Sequence, residues 1–290
     1  MKLGLGTAQF GMQYGISNNE RCSKDDIPEI LDKAAQHEVL FLDTAPSYGE
    51  SERLLGELSP KNQLFNIITK IPSLESSDYV SGMLFTTLEG SLRRLKTQSV
   101  YGLLMHNADD LLLPSGQKIW KEMQELKALG LVKKIGVSVY TSEQVERLTN
   151  LYRLDLVQLP LNVFDQRLLH NGYLSNLKKM QVEIHVRSVF FQGLLLMELN
   201  DIPYFFDPIK VNIESYNRWL AENKISRLQA ALSFIASIKE VDLAVVGINS
   251  LQHLREILSC KIIGLDLDYF SRFSIQDNAM LNPSTWKLLS

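Results

Sequence analysis

The sequence predicts an α/β protein folded as a single-domain (β/α)₈ TIM barrel over residues 1–290. Three observations predict it. Short β-rich apolar runs alternate with amphipathic helical patterns along the whole chain, and such alternation implies parallel pairing. The 290 residues suit a barrel, which typically takes ~250. The open doubly wound sheet lacks its fingerprint, because Gly4-Leu5-Gly6-Thr7-Ala8-Gln9 misses the third glycine of GxGxxG.

The short runs cover residues 2–6, 40–43, 66–70, 101–106, 134–138, 156–159, 183–188 and 243–247. Several are almost wholly apolar, as strands covered on both faces should be. Between them lie helical patterns. Residues 24–37 follow Ser23 as an N-cap and place Ile27, Ile30, Leu31 and Ala34 on one face. The same period runs through 80–95, 117–129, 142–151, 169–180, 227–239 and 251–259, and Gly130 fits a helix stop. The loosest stretch is 196–224, with one extra helix expected over 211–221. An insertion between the seventh and eighth strands lies at the barrel mouth, as a lid, a substrate loop or a plain surface excursion.

Composition narrows the class. Apolar residues are 45% and charged residues 22% of the chain, close to the globular average. The net charge of −3 from 30 basic and 33 acidic residues argues against nucleic acid or an anionic membrane as partner. The N-terminus Met1-Lys2-Leu3-Gly4 opens no signal-peptide apolar region, and no apolar run is long enough to span a bilayer. A cytoplasmic monomer or small homo-oligomer is expected. Cys22 and Cys260 form no CxxC and have no ligand neighbours in sequence, so no metal is expected.

Three successive strands end in a polar residue that a buried strand does not need. Asp43 follows Phe41-Leu42, Lys70 follows Ile67-Ile68-Thr69, and His106 follows Leu103-Leu104-Met105. Tyr48 lies in the next loop after Asp43, between the turn residues Pro46 and Gly49. A phenol is a weak acid near neutrality, and a nearby ammonium lowers its pKa. Lys70 supplies that charge, Asp43 holds Lys70, and His106 can hydrogen-bond a carbonyl oxygen. Such a group polarises a C=O and protonates the alkoxide. The hydride has to come from a cofactor. Any one of these residues alone reads as a structural salt bridge or a satisfied polar group; the ordered set is harder to explain that way. Lys70 as a Schiff-base nucleophile is a competing reading, opposed by the adjacent carboxylate.

At these residues the sequence resembles the aldo-keto reductase family. Gly4-Leu5-Gly6-Thr7 is similar to its opening strand, and Asp43-Thr44-Ala45 with Tyr48-Gly49 and Glu52 to its most specific signature. Ile68-Thr69-Lys70, His106-Asn107-Ala108-Asp109 and the segment from Gly130 to Ser138 follow in order. Gln158, Arg187-Ser188 with Gly193-Leu194, and Gly247-Ile248-Asn249-Ser250 through Glu256 complete the series. The resemblance implies that Tyr48 is the general acid, Lys70 and Asp43 its tuning pair, and His106 the group that orients the carbonyl. It implies that Ser138 and Gln158 hold a nicotinamide carboxamide, that Gly6 and Thr7 lie near its ribose, and that Asp43 is also cofactor-binding. Arg187, Ser188, Gly193 and Leu194 fall on the phosphate side. Gly247, Ile248, Asn249, His253 and Glu256 fall on the adenosine side.

The implied cofactor is NADPH, with NADH open because Gly247 and His253 stand where many NADPH-specific members carry Lys and Arg. Arg187 stands where an aromatic residue commonly stacks under the nicotinamide, and Val139 where an asparagine commonly follows the fifth-strand serine. The short tail after Cys260 implies no long C-terminal substrate loop. The expected partner is a small carbonyl compound, sugar-derived in one version, meeting Gln9, Phe10, Tyr48, His106 and Asn107. Met12, Tyr14, Phe190, Phe191, Phe205 and Phe206 are further candidate pocket residues. A nucleotide-binding barrel that regulates a partner without turnover is the alternative function within the same family.

Overall fold

Each of the eight apolar runs forms a strand: β1 Lys2–Gly6, β2 Phe41–Asp43, β3 Asn66–Ile71, β4 Val100–Met105, β5 Val132–Ser138, β6 Leu156–Pro160, β7 Glu183–Arg187 and β8 Leu243–Gly247. The structure, a computed structural model, describes residues 1–16, 21–59, 64–74, 79–283 and 286. Neighbouring strands pair in parallel in chain order, and β1 closes the barrel against β8 with Gly6 opposite Gly247.

The two-residue period of a strand decides what fills the barrel. Phe41, Ile68, Leu104, Leu156, Leu243 and Val245 form their own buried cluster inside it. Their outward neighbours Leu42, Ile67, Leu103 and Val157 join the larger core beneath the helices. Two residues further along each strand, the inward position falls on Asp43, Lys70, Gln158 and Gly247. The polar groups at the mouth are therefore the next inward layer above an apolar one.

The helices differ from the sequence reading at informative points. The first long helix is Ile27–Gln36, capped at Asp26 rather than Ser23. Pro28 lies in its first turn, where the missing N–H costs nothing. The 169–180 pattern splits into a 3₁₀ turn, His170–Gly172, and the helix Tyr173–Lys179, because Gly172 adopts φ +74°. Ser51–Leu58 is a helix that the sequence reading lacked. The excursion after β7 carries the helix Lys210–Asn223, three residues longer than the expected 211–221. The tail after Cys260 packs Phe270, Phe273 and Leu281 into the core. There Ile275 N donates to Phe164 O at 2.9 Å. Among the described residues, no helix is long and apolar enough to cross a membrane.

The short helix Ala8–Gly11 presses against the turn that carries Tyr48. A Cβ on Gly11 would lie 1.8 Å from Tyr48 O and 2.4 Å from Ser51 N. Side-chain absence here allows two backbones to meet. Gly11→Ala should therefore destabilise the protein by about 1–3 kcal/mol, the usual scale for overpacking. Calorimetry should read this as a Tm lower by several degrees. An unchanged Tm would contradict the close approach.

Candidate active site

Asp43 closes β2, and Lys70 sits near the end of β3, whose pairing partner there is Leu104. Both side chains are buried, with Lys70 at 1% exposure and Asp43 at 5%. Lys70 Nζ donates to Asp43 Oδ1 at 2.7 Å and to Thr44 O at 3.0 Å. Its third neighbour is Tyr48 Oη at 3.4 Å. The ammonium also lies 4.9 Å from the Tyr48 ring centroid. Residues 22 to 27 positions apart thus converge, as the sequence pattern predicted.

The second oxygen of Asp43 accepts from Gln158 Nε2 at 2.7 Å. Gln158 is fully buried on β6, opposite Ser138 on β5. Its Oε1 is buried with no hydrogen-bond partner. A carbonyl oxygen left this way carries a cost unless a donor arrives. An amide N–H₂ placed beside Ser138 and Gln158 would satisfy it.

A hydroxyl cluster holds the loop after β2. Thr7 Oγ1 donates to Asp43 O at 2.9 Å and lies 2.8 Å from Ser51 Oγ. Ser51 Oγ donates to Thr7 O at 2.9 Å and lies 3.1 Å from Thr44 Oγ1. Glu52, buried beneath, accepts from Thr69 Oγ1 at 2.6 Å and from Arg94 Nε at 2.8 Å. Glu52 of the sequence signature is thus bound into the wall.

The electrostatics correct one expectation. Lys70 was expected to lower the Tyr48 pKa. Instead burial pushes the phenol up, the Asp43 carboxylate pushes it the same way, and Arg187 only partly opposes them. The carboxylate at 2.7 Å from Lys70 Nζ offsets the ammonium's field. Tyr48 is therefore a protonated phenol at neutral pH, a hydrogen-bond donor held against a cation. His106, just past the end of β4, meets the Tyr48 ring edge-on with centroids 5.8 Å apart. Burial, with Lys70 next, lowers its pKa to about 4. The imidazole is neutral, with Nδ1 3.3 Å from Ser47 Oγ.

A cavity of about 850 Å³ opens beside Asp43 and Tyr48. It lies over β1 and β8, where the inward positions are Gly6 and Gly247 and no side chain fills the mouth. Gln9 takes part of that space; a Cβ on Gly247 would lie 2.8 Å from Gln9 Nε2. Arg187, Ser188 and Gly193 form the wall contributed by the loop after β7. Asn249, His253 and Glu256 line the far end. The cavity lining runs from Asp43 and Tyr48 to the segment after β8.

The other predicted residues lie elsewhere. Phe10, Leu194 and Ile248 are buried in the core and do not line the cavity. Thr7 and Ser138 are buried beneath it, and His106 stands on the far edge of Tyr48. Asn107 caps the 3₁₀ helix Ala108–Leu112. Its amide donates to Ser73 Oγ at 3.2 Å and to Asp110 Oδ1 at 2.9 Å, so its side chain is engaged away from Tyr48. Phe191 and Phe206 are core residues, whereas Tyr14 and Phe190 line the cavity.

Two features escaped the sequence reading. Tyr140 lies behind Arg187, with the guanidinium carbon 4.2 Å from its ring centroid. Arg187 Nη2 also donates to Val139 O at 3.1 Å. Tyr14 Oη accepts from Gln192 Nε2 at 2.8 Å, and Ile16 N donates to Gln192 O at 2.9 Å, so the loops after β1 and β7 meet across the cavity. The excursion after β7, expected at the barrel mouth, lines the cavity through Asn217, Leu220, Lys224 and Arg227. Arg227 fastens it, donating through Nη2 to Glu198 Oε2 at 2.9 Å and through Nε to Asn217 Oδ1 at 3.1 Å.

Comparison with known proteins agrees with this geometry. A model of the Aldo/keto reductase family matches residues 2–274. Aldo-keto reductase YhdN of Bacillus subtilis is 28% identical over 182 residues, covering 58% of this chain and 52% of that protein. An aldo-keto reductase of Gibberella moniliformis is 26% identical over 244 residues, covering 79% of this chain and 71% of that protein. D-arabinose 1-dehydrogenase of Saccharomyces cerevisiae is 29% identical over 145 residues, covering 47% and 42%. Thus the match spans about half the length of the B. subtilis relative. In structure, the holo form of aldo-keto reductase AKR11C1 from Bacillus halodurans superposes with TM-score 0.75 at 16% identity, covering 99% of this chain and 94% of that one. That likeness is one of fold. The family model spans all eight strands and the residues gathered around Tyr48, and the chain belongs to the aldo/keto reductase family, whose members are oxidoreductases.

Proposed function

We propose that the chain reduces an aldehyde or ketone to the alcohol with a nicotinamide dinucleotide, and that Tyr48 delivers the proton. The observation that carries this reading is the Tyr48 hydroxyl 3.4 Å from Lys70 Nζ, at the inner end of a long cavity. A group that donates a proton should be protonated before the step and stabilised after it. Burial keeps the phenol protonated. The Lys70 ammonium offers a hydrogen bond to the phenolate that remains once the proton has moved.

The site residues fit the cofactor. Gln158 Oε1 lacks a partner, and a carboxamide N–H₂ supplies the donor it needs. Ser138 lies opposite on the next strand. Gly6 and Gly247 leave room for a ribose, and the wall from Ser188 to Gly193 borders the path toward Asn249, His253 and Glu256. The nicotinamide, when bound, supplies the hydride. This chain's residues do the rest: Tyr48 and neutral His106 hydrogen-bond the carbonyl oxygen, and Tyr48 Oη gives up its proton to the alkoxide.

NADPH is the proposed cofactor and NADH the alternative; Lys224, which lines the cavity, supports an additional phosphate. A hydroxylated, sugar-derived substrate is supported by the Gln9 amide in the cavity and by the name of the yeast relative, D-arabinose 1-dehydrogenase. A titration with NADPH and NADH, followed by a panel of carbonyl substrates, tests the reading. Binding without turnover on any carbonyl would favour a regulatory barrel instead.

Two outcomes are expected. Tyr48→Phe should retain nucleotide binding and lower kcat by roughly 10²-fold or more, the scale of a positioned acid; near-normal turnover would reassign the proton donor. The second concerns pH. His106 has a folded pKa of about 4 against an ordinary value of 6.5. Between those values the unfolded chain binds a proton that the folded chain refuses, so stability rises with pH there. The contribution is fully present above 6.5 and is lost as pH falls toward 4. Thermal melts of the wild type should show that loss, and His106→Gln should show a shallower one. Equal slopes in the two proteins would argue against a neutral buried imidazole.

A further inference from the structure

We propose that Arg187 acts as a redox-state filter: its guanidinium weakens binding of the oxidised, positively charged nicotinamide relative to the reduced, neutral ring, and so favours release of the spent cofactor. The inference rests on the reading of the cavity as a nicotinamide site.

Position is the first argument. Any ring that passes a hydride to a carbonyl held by Tyr48 has to lie in the cavity beside that tyrosine. Arg187 lines the same cavity. It pairs with Pro160, two residues beyond Gln158, whose unpartnered Oε1 marks where a carboxamide is satisfied. A ring whose carboxamide reaches Gln158 would lie beside the strand that carries the guanidinium.

Rigidity is the second. Tyr140 backs the guanidinium at 4.2 Å from its ring centroid. Nη2 is tied to Val139 O at 3.1 Å and Nη1 approaches Ser188 Oγ at 3.5 Å. The charge cannot swing out of the way without losing these contacts. Among the described residues, no carboxylate forms an ion pair with Arg187. The one carboxylate that lines the inner cavity, Asp43, is bonded to Lys70 and Gln158. The Arg187 charge also acts to lower the pKa of Tyr14, Tyr48 and His106, although burial outweighs it at both tyrosines.

The chemistry supplies the sign. In carbonyl reduction the hydride leaves the ring with both electrons and forms the new C–H bond. The alkoxide takes the Tyr48 proton. The ring is left with one positive charge that it did not carry before. A fixed cation lining the same cavity, in a site of reduced dielectric, would repel that product and not the reactant. The guanidinium thus makes reduced nucleotide the better ligand.

The test measures Kd for NADP⁺ and NADPH on the intact protein by calorimetry, with no substrate present. Wild type should bind NADPH at least tenfold more tightly than NADP⁺. Arg187→Gln should lower the ratio Kd(NADP⁺)/Kd(NADPH) about tenfold, which for a two-electron couple corresponds to roughly 30 mV in the midpoint of the bound pair. Arg187→Lys, which keeps the charge, should retain most of the wild-type ratio. A ratio unchanged in Arg187→Gln overturns the filter while leaving the nucleotide site intact. Failure of wild type to bind either nucleotide overturns the cavity assignment, and the filter with it.

Discussion

The buried ion pair of Lys70 and Asp43 is the constraint around which the polar end of the barrel is arranged. Each side chain is almost without solvent. Removing charges from water costs several kcal/mol per ion, and mutual attraction offsets this only with good geometry and further hydrogen bonds. Those bonds are present: Thr44 O on the lysine side, Gln158 Nε2 on the carboxylate side. Three strands and one loop are therefore held to a common centre. Tyr48 meets the remaining face of the ammonium. Loss of either ion would leave its partner buried and unpaired, a larger penalty than loss of the pair.

The barrel gives this centre its two surroundings. Below lies the apolar layer of Phe41, Ile68, Leu104 and Leu156. Above, side chains are missing on one side only, at Gly6 and Gly247. The cavity opens there and not over β3 and β4. Asymmetry at the mouth thus follows from two glycines at paired positions. The field in the cavity follows from which cations are matched. Lys70 is paired with a carboxylate, whereas Arg187 is held by a carbonyl, a hydroxyl and an aromatic ring.

Much of this was legible in the chain. Apolar runs of strand length that end in Asp43, Lys70 and His106 identify the mouth, because a covered strand has no other use for those groups. Their convergence with Tyr48 followed from the barrel alone. The direction of the Tyr48 shift did not, since it depends on burial and on how far Asp43 offsets Lys70. The helix Ser51–Leu58 was missed for a related reason. Its first residues are buried polar groups whose partners are Thr7, Thr69 and Arg94, distant in sequence, so its apolar period is faint. Asn107 read as a pocket residue because it follows His106; in three dimensions it caps the next turn. Tyr140 gave no signal, because its partner Arg187 is 47 positions away on another strand.

The bridge from Glu198 to Arg227 closes the excursion after β7 at its base. The segment between those two residues forms a loop with a bridged base, and the entropy of closing a longer loop grows only slowly. Such a piece can be lengthened, shortened or exchanged among descendants while the eight strands keep their register. The shape of the cavity wall that this piece supplies is then free to diverge independently of the polar centre at the barrel's mouth.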